Sequence, residues 1–185
     1  MVMQDARIHS SVEDAEVAVA ALLTSLGYDV GSERLRDTPR RVAASLRGLV
    51  TRSPLAETTM LAEDGYDGPV ELRDIPFHSL CEHHLLPFRG MAHITYLPGE
   101  RLVGISALPR VVEYYARDLQ MQERLTRDIA DWLEHELEPR GVSVVIEAEH
   151  FCMTMRGIGG PQTRLTTRDN RGALRGEEVP SWSVS

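Results

Sequence analysis

The chain has 185 residues, 42% of them hydrophobic, which is the size and composition of a globular protein with a buried core. Its formal net charge of −8 and its pI near 5.4 argue against a general nucleic-acid binder and against a protein that binds anionic membranes. An anionic small molecule stays possible as a ligand, because a local group of arginines can still bind phosphate.

The sequence contains no apolar run of the roughly 20 residues needed to span a bilayer, and no secretory signal pattern opens it. We therefore expect a cytosolic protein with no membrane partner. A reducing compartment disfavours a disulfide between the two cysteines, Cys81 and Cys152. They are then either buried free thiols or metal ligands.

The first part of the chain predicts two helices. From Ser10 the segment SSVEDAEVAVAALLTSLG has an apolar face, and Ser10 and Glu13 have the spacing of a capping box. The segment DTPRRVAASLRGLV follows, with Thr38 as the expected N-cap and Pro39 as the first helical residue. Residues 52–67 are expected to form a loop.

After this segment, the spacing of hydrophobic residues changes from the helical period to the alternation typical of strands. Strand-like runs occur in VELRDIPFHSL and GMAHITYLPGERLVGIS, and GVSVVIEAEHFCMTMRG predicts two more strands around a tight connection. Between them, SALPRVVEYYARDL and QERLTRDIADWLEHELE predict helices. This order of elements indicates an α+β domain. We expect a helical extension over residues 1–67, an α+β domain over residues 68–175 and a disordered tail over residues 176–185.

The segment HSLCEHHLLPF, residues 78–88, gathers one cysteine, one glutamate and three histidines. Cys81 and His84 have a C-x-x-H spacing that lets one turn present sulfur and imidazole to a single ion, and folding could add Cys152. Such ligands suit Zn²⁺ better than Ca²⁺ or Mg²⁺. A Cys₂His set leaves one position open for water, as in catalytic zinc sites. Spacing alone leaves buried free thiols as an equal alternative.

Two more histidines lie beside these residues in sequence. His83 precedes His84, and His150 stands two positions before Cys152. If His150 and Cys152 share a strand, their side chains point to the same face. We therefore expect them to line one cavity.

Four blocks of sequence together resemble the GTP cyclohydrolase I family: SLCEHHLLPFRG, VGIS with Arg110, QMQERLT and VVIEAEHFCMTMRG. The earlier segment DTPRRVA resembles the helix before that family's catalytic domain. The resemblance implies a tunnelling-fold (T-fold) domain, with an antiparallel four-stranded sheet and two helices on one face, preceded by N-terminal helices. It also implies a toroidal homodecamer with active sites between subunits.

The resemblance implies an enzyme that converts GTP and water into 7,8-dihydroneopterin triphosphate and formate. Its zinc ligands would be Cys81, His84 and Cys152. The matching positions for proton transfer are His83 and His150, since histidine titrates in the required range. The alternative for both histidines is that they only orient the metal ligands.

Substrate contacts are implied at five positions. Glu123 would accept from the N1–H and 2-amino edge of guanine, with Gln122 beside it. Arg110 and Arg156 match phosphate-binding arginines, and Ser106 at a helix N-terminus could add donors. Without the resemblance, these residues would be read as exposed polar groups and weak surface ion pairs.

The sequence departs from the family pattern at the phosphate end. Ala107 stands where the family usually has a phosphate-binding lysine, and Asp169 and Arg171 place charges where the family tends to carry small or neutral residues. Two alternatives to a conventional cyclohydrolase follow. One is a paralogue that acts on a modified or less phosphorylated guanine nucleotide, or that stops after ring opening. The other is a silent zinc-binding scaffold, against which the retained acid–base histidines argue.

Overall fold

The computed structural model describes residues 11–55, 59–62, 65–158, 160 and 162–176. The chain divides into two compact units, residues 1–49 and residues 50–185. The first unit holds α1 (Val12–Ser25) and all but the last residue of α2 (Thr38–Val50). The functional boundaries expected at residues 67 and 175 stay predictions, and residues 177–185 of the expected tail lie outside the described residues.

Helix α1 begins with a capping box one residue later than the sequence predicts. Ser11 is the N-cap, and its Oγ accepts from the Asp14 backbone N–H at 3.0 Å. In return, Asp14 Oδ2 accepts from the Ser11 backbone N–H at 3.1 Å. The predicted pairing of Ser10 with Glu13 is therefore wrong, because Ser11 and Asp14 satisfy these donors. Ser10 itself lies outside the described residues.

The described part of the second unit contains seven strands and three helices. In chain order they are β1 (Met60–Ala62), β2 (Val70–Cys81), β3 (Pro87–Leu97), β4 (Arg101–Val103), α3 (Ala107–Ala116), β5 (Leu119–Gln120), α4 (Gln122–Leu137), β6 (Gly141–His150), α5 (Phe151–Thr154) and β7 (Leu165–Gly172). Strands β1 and β4 form a two-stranded antiparallel ribbon. The segment expected to be a loop before residue 67 therefore includes a strand.

The main sheet has the order β5-β2-β3-β6-β7. Its four long strands are antiparallel neighbours, and the two-residue strand β5 adds a short parallel edge beside β2. Helix α3 packs on β2, and α4 packs on β6 and β7. The predicted α+β fold, with a four-stranded antiparallel sheet and two helices on it, is confirmed.

The identity of the fourth strand differs from the prediction. The segment FCMTMRG does not form a strand, because the backbone N–H of Met155 donates to the carbonyl of Phe151 and closes the helical turn α5. Gly157 follows with a φ of +74°, a conformation that glycine adopts without steric cost. The fourth strand is β7, which lies in the polar segment near the C-terminus and pairs with β6.

The core lies between the sheet and the two helices. On α4, the predicted stripe is buried at Leu125, Ile129 and Leu133, which are fully shielded from solvent, and Trp132 packs at its edge. Strand β3 contributes alternate residues, Phe88, Ala92, Ile94 and Tyr96 among them, as expected for a strand with one face on the core. Along the described residues, no helix is both long enough and apolar enough to cross a lipid bilayer.

Arg171 ties the last strand to α4. Its guanidinium contacts Asp169 on its own strand at 2.7 Å and also pairs with Asp131 and with Glu134, at 2.9 Å, on the helix. The hydrogen bonds to Asp169 raise the pKa of Arg171 further above its usual range, and the side chain is only 18% exposed. The charges at 169 and 171 therefore have a structural role in this chain.

We expect Arg171→Met to lower the free energy of unfolding by about 1–3 kcal/mol, because it leaves three carboxylates near one another without their cation. Urea denaturation followed by circular dichroism at fixed protein concentration measures the loss. The control is Arg168→Met, an exposed arginine on the same strand, for which we expect a change within about 0.5 kcal/mol. Equal losses in the two variants would contradict this role.

Candidate active site

Four segments meet at one end of the main sheet. The turn that joins β2 to β3, residues 82–86, lies beside the end of β6, because Phe88 at the start of β3 pairs with His150 at the end of β6. Strand β5 pairs with the last residues of β2, Gln120 opposite Cys81, and leads directly into α4. The parallel pairing of β2 with β5 and the antiparallel pairing of β3 with β6 thus place residues that are distant in sequence at a single edge.

The β2–β3 turn folds Cys81 and His84 toward each other. The backbone N–H groups of His84 and Leu85 both donate to the Cys81 carbonyl, at 3.3 and 2.9 Å. Leu85 has a φ of +54°, an uncommon value for a residue with a side chain. This tight turn sets the Cys81 Sγ and His84 Nδ1 atoms 3.7 Å apart.

Cys152 reaches the same place from α5. The expectation that His150 and Cys152 share a strand face is wrong, because β6 ends at His150 and the chain turns into a helix. The turn carries the Cys152 sulfur to the other two groups. One ligand atom each from Cys81, His84 and Cys152 lies within 4.8 Å of the others.

This donor set fits a thiophilic metal ion. Two sulfurs and one imidazole nitrogen are ligands for zinc rather than for Ca²⁺ or Mg²⁺, and three protein donors leave a fourth position open. Both cysteines are free thiols and both are buried, whereas His84 is exposed. Burial raises the pKa of the Cys152 thiol, and the neighbouring Cys81 raises it further. A bound cation would offset both effects by stabilising the thiolates.

The turn is anchored from outside by Glu82. Its carboxylate receives a hydrogen bond from Arg124 on α4, and its backbone N–H donates to the Gln120 carbonyl at 3.1 Å. Arg124 also donates to the Gln120 side-chain oxygen at 2.9 Å. Glu82 lies 3.7 Å from the His83 ring nitrogen, and His83 itself is exposed. His83, a predicted catalytic residue, therefore lies on a turn whose first residue is held by hydrogen bonds.

His150 is held more firmly than His83. Its ring stacks on Phe88, with centroids 4.5 Å apart and an interplanar angle of 5°, and its Nε2 lies 2.8 Å from Gln122 Oε1. Burial lowers the pKa of His150, and the carboxylate of Glu123 opposes that shift by raising it. The ring is half-buried and fixed in both plane and rotation.

The predicted substrate residues fall into two groups. Glu123 and Arg156 are exposed and act electrostatically on the site, Glu123 on His150 and Arg156 on Cys152. Ser106 and Arg110 are exposed at the N-terminus and in the first half of α3. No hydrogen bond or ion pair within the described ranges joins these two to the metal-binding residues.

Gln122, whose predicted role in substrate binding stays a prediction, has hydrogen-bond partners within the chain. Its side chain is buried, and both ends of its amide are bonded within the chain. A direct side-chain contact with a substrate would require one of these hydrogen bonds to break. In this structure the side-chain oxygen of Gln122 faces His150.

Sequence reasoning missed Phe88, Arg124 and Thr167 as parts of the site. Phe88 reads as an ordinary core residue, Arg124 as an exposed helical charge, and Thr167 as one residue of a polar segment. The registers of β3 with β6 and of β6 with β7 bring Phe88 and Thr167 to the site, and the pairing of β5 with β2 brings Arg124 to the turn. The QER run was the one available signal, because it begins α4 at the site.

A family model and a solved structure are similar to this chain. A model of the family described as GTP cyclohydrolase I matches residues 15–181. A solved structure, the archaeosine synthase QueF-Like in the apo form, overlaps 57% of this chain and 95% of its own, with a TM-score of 0.48 at 15% identity.

Curated relatives match nearly the whole chain. GTP cyclohydrolase 1 of Mycolicibacterium gilvum is 49% identical over 171 residues, 89% of this chain and 84% of its own. GTP cyclohydrolase 1 of Streptococcus thermophilus is 48% identical over 167 residues, 88% of this chain and 89% of its own. The chain therefore belongs to the GTP cyclohydrolase I family and is an enzyme of that type.

Proposed function

We propose that the protein is a zinc-dependent GTP cyclohydrolase I, which opens the imidazole ring of guanine at C8, releases formate and forms 7,8-dihydroneopterin triphosphate. One observation carries the proposal. Cys81, His84 and Cys152, from two distant parts of the sequence, place their ligand atoms within 4.8 Å of one another. The fixed ring of His150, two residues from Cys152, adds a group suited to proton transfer.

Each of these side chains then has a defined role in the proposed reaction. When bound to the two sulfurs and the imidazole, zinc would supply a Lewis acid that lowers the pKa of a coordinated water toward ~7. His83 and His150 donate and accept the protons that ring opening requires. Glu123 accepts hydrogen bonds from the N1–H and 2-amino group of guanine, which adenine lacks in this arrangement.

Arginines bind the triphosphate in this proposal. Arg156 acts electrostatically at the metal group, and Arg110 is exposed on α3. The sequence contains no lysine at all, so each of its 20 basic residues is an arginine. Position 107 itself supplies no cation, because Ala107 is a buried apolar residue, so in this proposal Arg110 and Arg156 are the phosphate ligands.

We further propose that active sites are completed between subunits of a homodecamer. The metal-binding residues stand at one end of the sheet, whereas Ser106 and Arg110 stand on α3 without a bond to them in the described chain. A neighbouring subunit that supplies α3 would complete the site. The two free cysteines support a reducing, cytosolic location.

Variants should separate the metal ligands from the acid–base residues. We expect Cys152→Ala and His84→Ala to lose both bound zinc and turnover. His83→Ala and His150→Ala should keep about one zinc per chain but slow turnover by on the order of 10²-fold or more. Elemental analysis and formate release measure the two properties. Full zinc in Cys152→Ala would refute the ligand assignment, and zinc binding with no turnover in the unsubstituted protein would indicate a scaffold.

Nucleotide preference should identify the substrate. We expect kcat/KM to be highest for GTP among GTP, GDP, GMP and 8-substituted analogues. Arg156→Met should lower it about 10- to 100-fold for GTP and less for GMP, because a charge-assisted phosphate contact contributes roughly 1.5–3 kcal/mol. Ala107→Lys is a poorer probe, since Ala107 is buried in the core at the start of α3. A higher kcat/KM for GMP or an analogue would favour a specialised enzyme.

Mixed oligomers should reveal sites shared between subunits. Cys152→Ala and Arg110→Met chains are each expected to be defective, but co-expression should restore part of the activity. An intact site then forms where Cys152 and Arg110 come from different chains. Light scattering should report a decamer for the mixture and for the unsubstituted protein. A monomer, or no recovery in mixed oligomers, would contradict the proposed assembly.

A further inference from the structure

Gln122 is the first residue of α4, and its polar side chain is buried. A buried amide needs hydrogen-bond partners within the protein in place of water. Its Nε2 atom lies 3.0 Å from the Ile146 carbonyl, 3.0 Å from the Leu165 carbonyl and 3.1 Å from Thr167 Oγ1. Its Oε1 atom lies 2.8 Å from His150 Nε2. The amide therefore joins α4 to β6, to β7 and to the histidine.

These partners fix which end of the amide is which. A backbone carbonyl only accepts hydrogen bonds, so the atom that faces the Ile146 and Leu165 carbonyls must be the NH₂ group. The reversed amide would set its oxygen against both carbonyl oxygens. Gln122 Oε1 consequently faces His150, and an amide oxygen only accepts.

A closed ring of hydrogen bonds supports this orientation. Thr126 Oγ1 donates to the Gln122 backbone carbonyl at 2.8 Å, which uses its single hydrogen. In the 2.6 Å contact between the two threonine hydroxyls, Thr167 must then be the donor. Thr167 Oγ1 in turn accepts from Gln122 Nε2. Every polar hydrogen in the ring has an acceptor, and a flipped amide would break the ring.

The orientation of the Gln122 amide determines which ring nitrogen of His150 carries a hydrogen. Because Gln122 Oε1 only accepts, His150 Nε2 must carry a hydrogen, and a neutral imidazole has only one ring hydrogen. Its Nδ1 is then the acceptor nitrogen. Stacking on Phe88 fixes the plane of the ring, and a half-turn within that plane would set a ring carbon against Gln122 Oε1 and lose the hydrogen bond.

We propose that Gln122 is a positioning residue that holds His150 in the Nε2–H tautomer and so leaves Nδ1 as the nitrogen available to the substrate. This inference rests on the proposed function only in assigning His150 to the reaction; the tautomer follows from the hydrogen bonds alone. His83, which is exposed and near Glu82, has no comparable restraint among the described contacts. The rings of His150 and His83 are thus restrained to different degrees.

The first test reads the tautomer directly. In protein labelled with ¹⁵N-histidine, two-bond ¹H–¹⁵N correlations distinguish the nitrogen that carries the hydrogen, and His150→Ala assigns the signals. We expect the Nε2–H form in the unsubstituted, zinc-loaded protein. An Nδ1–H form would overturn the inference, whether or not the protein turns over GTP.

The second test removes the amide. Gln122→Met keeps the length of the side chain but cannot accept from His150, so we expect a mixture of tautomers. We also expect kcat to fall about 10- to 100-fold, as for partners that orient a functional group, with KM and zinc content little changed. A single unchanged Nε2–H signal with unchanged kcat in this variant would overturn the inference.

The matched control is Gln120→Met, two residues away. Gln120 is equally buried, and its amide bonds to the Tyr115 carbonyl and to Arg124, with no contact to His150. We expect this variant to keep the Nε2–H signal. Loss of that signal in both variants would show that any buried glutamine supports the site through general packing, and would overturn a specific role for Gln122.

Discussion

The site depends on one constraint, the pairing of β3 with a strand on each side. Because β3 runs antiparallel to both β2 and β6, the start of β3 lies beside the ends of its two neighbours. Backbone hydrogen bonds therefore bring the Cys81 turn and the His150–Cys152 segment together before any side chain contributes. A slip of one residue in the β3–β6 register would turn His150 to the opposite face and away from Phe88.

The interior near the site is unusually polar for its depth. Gln120, Gln122 and Thr126 are all nearly inaccessible to solvent, and each has hydrogen-bond partners within the chain. Buried polar groups with all partners present favour a single arrangement, whereas an apolar core tolerates several. The same region carries two buried sulfurs close together. Each of these thiolates would disfavour the other, and a cation bound between them would stabilise both.

Sequence reasoning predicted the class of fold and the long helices, because these depend on local periodicity, and residue chemistry singled out the three side chains whose ligand atoms lie within 4.8 Å of one another. The bounds of β7 could not be predicted in the polar segment near the C-terminus, since LTTRDNRG has no apolar alternation and is held by backbone pairing and by the ion pairs of Arg171. The contacts of Gln122 could not be predicted either. Its partners lie 24 to 45 residues away, and no spacing rule reports a contact that only a sheet register creates.

The position of β7 at the end of the chain gives the site an order of assembly during synthesis. Because synthesis runs from the N-terminus to the C-terminus, all three candidate metal ligands leave the ribosome before the carbonyl of Leu165 and the hydroxyl of Thr167, which orient Gln122. Chains that end between residues 152 and 165 would therefore contain the candidate metal ligands but not the groups that orient Gln122 toward His150.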